Sequence, residues 1–177
     1  MAHSLVSAVP SPAVRICCDL PGFLADWRRC DQFSNYLAES LSLAKADPFA
    51  FASMLSTIIN EVLETIFCHN AGQDALTLQV FEDAEAATIL RAEFAVDEQA
   101  RAMYERIVAT LAGQDPVQVY EQLLFQLSGP DAREISLFEI AADYGARLAI
   151  EGGSRPGLMC LVVRVGLNDW LNHRTRE

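Results

Sequence analysis

The chain has 177 residues, 51% of them hydrophobic and 21% charged, with a formal net charge of −11. That length suits one domain burying roughly 70% of its unfolded surface, and the composition excludes wholesale disorder. The acidity excludes nucleic acid as a partner, because phosphate binding needs a positive surface to release counterions, and argues equally against anionic lipid.

Five cysteines, Cys17, Cys18, Cys30, Cys68 and Cys160, form an odd set without framework spacing. Met1 to Val14 carry neither a basic leader nor a long apolar core, and no apolar run reads as approaching the roughly 20 residues of a membrane span. These features predict a cytoplasmic protein with reduced thiols and no membrane partner. Cys68-His69 has no second pair at ligand spacing, so a buried thiol is expected there and no metal.

In chain order, residues 1–13 read as a flexible tail around Pro10 and Pro12, leaving 14–177 as a single domain. Ala13 to Cys18 predicts an edge strand. Pro21 opens a helical stretch from Phe23 to about Leu43, with Leu24, Trp27, Phe33, Tyr36, Leu37 and Leu41 near helical spacing. Asp47-Pro48 is a helix start: the carboxylate accepts from first-turn amides, and proline needs no donor at the first position. Phe51, Leu55, Ile58, Ile59, Val62, Leu63 and Ile66 then recur every three or four residues, until Asn70 and Gly72 stop the helix.

Ala75 to Phe81 and Ala87 to Phe94 predict a hairpin, since Leu76, Leu78 and Val80 alternate with Thr77, Gln79 and Phe81. Helices follow around Ala100 to Leu111, from Pro116 to Leu127, and from Glu134 to Tyr144, where Gly145 caps. A second hairpin, Ala146 to Glu151 and Met159 to Val165, flanks the turn-rich Gly152 to Gly157. That loop joins two strands and precedes no helix, so it reads as a hairpin turn and not a phosphate cradle. The order predicts an α+β two-layer sandwich, helices on one face of a mixed or antiparallel sheet.

The long helix also carries polar positions, Thr57, Glu61, Glu64, Thr65 and Cys68, expected along one edge. The run Ile59-Asn60-Glu61-Val62-Leu63-Glu64-Thr65-Ile66-Phe67-Cys68-His69 resembles the N-box of the GHKL ATPases, the superfamily of gyrase, Hsp-type chaperones, histidine kinases and mismatch-repair ATPases. Glu134 to Leu148 is similar to the helix after that family's second glycine box, running into the terminal hairpin. The likeness spans roughly residues 48 to 166, with the small anti-sigma-factor kinases as the nearest members in pattern. It implies Glu61 at the catalytic-base position, Glu64 and Thr65 near a metal, Asp97 near adenine, and Ser136 in the second glycine box.

The departures concern the ligand motifs. Thr65 stands where the family has a magnesium-binding Asn, and a lone hydroxyl is a poor substitute in a near-octahedral oxygen set. Residues 91–98 contain no glycine, and Glu134-Ile135-Ser136-Leu137 replaces a box of two glycines, with a carboxylate at the helix start that phosphate would need. The resemblance therefore implies a bacterial regulatory or signalling protein that has lost ATP hydrolysis and needs no cofactor. Its expected partners are proteins, such as an anti-sigma-antagonist-like protein or a response regulator. The alternative is an ATP- and magnesium-dependent serine kinase acting on a small partner, with Glu61 as base. Homodimerisation through a helix face or sheet edge is left open by the sequence.

Overall fold

The computed structural model describes residues 12–19, 28–69, 75–126 and 134–167. Residues 1–11 of the expected tail (1–13) and the first turn of the Phe23 helix lie outside the described residues. Asp47 does cap the long helix: its side chain accepts the Ala50 N–H and its carbonyl the Phe51 N–H, both at 3.0 Å. From there α2 (Pro48–His69) runs six turns and buries Phe51, Leu55, Ile58, Ile59, Val62 and Ile66 at 0 or 1% exposure. Each such side chain contributes roughly 1.5–3 kcal/mol. α1 (Arg28–Ser42) packs along it through Cys30, Leu37 and Ala38.

One expectation needs correcting. At 22 residues, α2 is long and apolar enough by length and composition to cross a membrane. Asn60, Glu61 and Glu64 interrupt the hydrophobic run in sequence, but they share one edge and leave most of the remaining circumference apolar. In the fold that apolar surface is the centre of the core.

Five strands, β1 (Val14–Asp19), β2 (Ala75–Glu82), β3 (Thr88–Ala95), β4 (Arg147–Gly152) and β5 (Leu158–Val165), form one sheet in the order β1-β2-β3-β5-β4. Every pairing is antiparallel, so both hairpins and the β1 edge position expected from sequence are present. Leu78 pairs Ala92, which pairs Leu161, which pairs Ile150, so one row of apolar side chains crosses four strands. A one-residue slip at β3 would turn Leu90, Ala92 and Phe94 outward, which fixes the register. The first hairpin turns on Asp83, whose side chain accepts the Glu85 and Ala87 N–H groups at 2.9 Å.

Three more helices, α3 (Glu98–Gly113), α4 (Pro116–Gln126) and α5 (Ile135–Tyr144), join α1 and α2 to make the α+β two-layer sandwich. Gly145 adopts φ +63°, and the Ala146 N–H returns to the Ile140 carbonyl at 3.3 Å, closing α5 as expected. α5 packs on both α4 and α2. This places the polar edge of α2 beside two helices that follow it by more than forty residues.

Candidate functional site

Four of the five residues expected on the polar edge of α2, namely Thr57, Glu61, Glu64 and Cys68, are half-buried. Thr65 is the exception, at 0% exposure, and its Oγ1 donates to the Glu61 main-chain carbonyl at 2.9 Å. A hydroxyl enclosed in the core and turned back onto its own helix does not fit a magnesium ligand, which must share the ion with waters and phosphate oxygens.

Glu61 and Glu64 meet acids from another helix. Burial pushes the Glu64 carboxyl above its ordinary range, and the Glu61 carboxylate pushes it further. On α5, Glu139 is raised by burial first, then by Glu61 and Asp143, with Glu64 adding to the same effect. The Tyr120 hydroxyl of α4 donates to the Glu139 carboxylate and opposes that rise, while burial and the neighbouring acids push the Tyr120 phenol up. Glu61, Glu64, Glu139, Asp143 and the Tyr120 phenol, from three helices, thus influence one another electrostatically. Sequence reading found only the α2 half. Its other half carried a faint signal: Glu139 and Asp143 are four residues apart, one turn of the same face.

The remaining expected residues have other work. Asp97 is the N-cap of α3, its Oδ1 accepting the Ala100 N–H at 2.7 Å and its carbonyl the Arg101 N–H at 3.0 Å. Just before it, Phe94 is fully enclosed and meets the Tyr104 ring edge-on, with centroids 5.6 Å apart at 65°. Large aromatic rings therefore fill the space between β3 and α3. Ser136 is buried in the first turn of α5 at 8% exposure. At that helix start the Glu134 carboxylate pairs with Arg106 at 2.5 Å. Among the described residues, no side-chain hydrogen bond links Asp97 or Ser136 to the carboxylate cluster.

Of the positions that the resemblance assigns to nucleotide ligands, Thr65 is a core threonine and Asp97 is a helix cap beside packed aromatics. Among the described residues, no group of three or more His, Cys, Asp or Glu side chains is arranged to hold a metal ion. Three cavities of about 440, 570 and 160 Å³ lie elsewhere: by Leu111 and Gly145, between Asn35 and Phe49, and by Lys45 and Phe81. None of the three is lined by Glu61, Glu64, Thr65, Asp97 or Ser136.

No known family profile matches the sequence, and no characterised protein matches it by sequence. The fold itself has a solved counterpart. A chain in the crystal structure of the SiaB–SiaC complex from Pseudomonas aeruginosa superposes with a TM-score of 0.63 at 15% identity, covering 87% of this chain and 89% of that one. At that identity the likeness is one of fold.

Proposed function

We propose that this chain is a bacterial cytoplasmic regulator that acts by binding another protein, on a GHKL-like scaffold that no longer hydrolyses ATP. The observation that carries the reading is the enclosure of Thr65, with its hydroxyl bonded to the Glu61 carbonyl at the position where the resemblance requires a metal ligand. Glu61 is left without a metal-bound phosphate to act upon, and a carboxylate acting as general base needs its substrate within hydrogen-bond reach. The similar solved chain belongs to a protein–protein complex, which supports a protein partner here.

Calorimetric titration with ATP, with and without magnesium, tests the reading. Silence at millimolar nucleotide is expected. Binding strengthened by magnesium would overturn it and favour the serine-kinase alternative, for which phosphate transfer to a partner must vanish in Glu61→Gln.

A further inference from the structure

α4 is closely packed on one side and bare on the other. Val119 is buried at 7% exposure and Leu123 packs against the core, whereas Val117 and Leu124 are 47 and 49% exposed and Phe125 is 90% exposed. At 100° per residue, Val117 and Leu124 lie within about 20° of each other, seven residues being close to two turns, and Phe125 continues the stripe on the outer side. Exposed apolar residues scattered singly need no explanation, but three on one face of an eleven-residue helix do.

The flank of that stripe has one sign of charge. Tyr120, one turn from both Val117 and Leu124, sits at the boundary and donates to Glu139. Behind it stands Glu61, with Glu64 acting on the same Glu139, and Glu121 lies within the stripe between Val117 and Phe125. Among the described residues no lysine or arginine pairs with Glu61, Glu64 or Glu139. A second copy of a chain carrying −11 would bring acids against acids on this face.

We propose that the outer face of α4, together with the Glu61–Glu64–Glu139 edge, is the docking surface for a basic amphipathic segment of a partner protein. The partner's apolar side chains lie along Val117, Leu124 and Phe125, and its Lys or Arg side chains reach the carboxylates. This deepens the protein-binding reading above and rests on it. Burial of the apolar stripe supplies the affinity, and the acids supply approach rate and register.

The test uses fluorescence anisotropy of three labelled peptides with the full chain: a helical Leu/Lys amphipathic peptide, a scramble of the same composition, and a Leu/Glu counterpart. The first is expected to bind tightest and to weaken as salt rises. The double variant Leu124→Ser, Phe125→Ser should lose on the order of tenfold in affinity, and Glu61→Gln with Glu139→Gln a similar factor. All four positions are partly or largely exposed, so the variants keep the fold, which circular dichroism verifies.

Equal binding of the scramble, or affinity indifferent to the α4 variants, would overturn the surface while leaving the ATP result untouched. A dimer by light scattering that dissociates in the Leu124→Ser, Phe125→Ser variant would assign the face to a second copy instead. ATP binding in the separate titration would overturn the regulatory reading whatever the peptides do.

Discussion

Thr65 donates its hydroxyl to the main-chain carbonyl of Glu61 at 2.9 Å, one turn earlier in α2. That carbonyl is already within the helix ladder, so the extra bond adds little. Thr65→Val keeps the shape and removes only the hydroxyl; we expect a stability change within about 1 kcal/mol and unchanged behaviour toward ATP. Thr65→Asn restores the family's ligand type at a fully enclosed position and should destabilise by roughly 1–3 kcal/mol through overpacking, without creating magnesium-dependent ATP binding. Urea denaturation and calorimetry of the two variants check this, and magnesium-dependent binding in Thr65→Asn would contradict it.

Whether Thr65 faces core or solvent was legible in spacing that the motif obscured. It follows Ile58 by seven residues, nearly two turns, and Ile58 is 0% exposed. Comparison with Glu61, four residues away, suggested the polar edge because the two share a motif. The strands were easier to read, since alternation of Leu76, Leu78 and Val80 reports burial on one face directly. The carboxylate cluster was not legible as a whole. Glu61 and Glu139 are separated by two hairpin strands and two helices, and only the packing of α5 on α2 brings them together.

The core face of α2 gives a sharper prediction. Ile58 and Val62 are both 0% exposed, surrounded by the sheet and α1. Ile58→Asp or Val62→Asp places an unpaired carboxylate in that interior, a loss above roughly 4 kcal/mol that a domain of this size does not survive. Circular dichroism should show an unfolded or aggregated protein. A cooperative thermal transition near that of the parent chain in Val62→Asp would show that the helix is rotated from the position described.

The β4–β5 turn separates glycines needed for space from those that are not. An ideal Cβ on Gly153 would lie 2.4 Å from the Leu158 Cβ and 2.8 Å from its carbonyl carbon, so backbone must move. Gly153→Ala is expected to cost roughly 1–3 kcal/mol. Gly157 has room but holds φ +86°, so Gly157→Ala should cost about 1 kcal/mol through strain. Gly152 has neither constraint, and Gly152→Ala should fall within about 0.5 kcal/mol of the parent. Chemical denaturation of the three variants should reproduce that order; a Gly153→Ala protein as stable as Gly152→Ala would mean the turn is arranged differently.

The cluster also sets a pH dependence. Glu64 and Glu139 are held above the ordinary carboxylate value of 4.5, in both cases by burial first and neighbouring acids second. The folded state therefore binds more protons than the unfolded chain between 4.5 and the raised values, and the sign follows: stability falls as pH rises through that window. Asp83 acts oppositely but elsewhere. The Ala87 N–H, foremost, and Arg164 hold it below 3.8, so its contribution is lost only as pH falls through that lower value. The melting temperature should consequently be higher near pH 5.5 than near pH 7.5, by roughly 1–3 °C because both glutamates are only half-buried and solvent screens part of the effect. Glu64→Gln and Glu139→Gln should each raise the melting temperature at the higher pH and flatten the difference. A melting temperature that rises from about pH 5.5 to 7.5 in the parent chain, and is unaltered by Glu139→Gln, would mean these carboxylates do not repel one another in the folded protein.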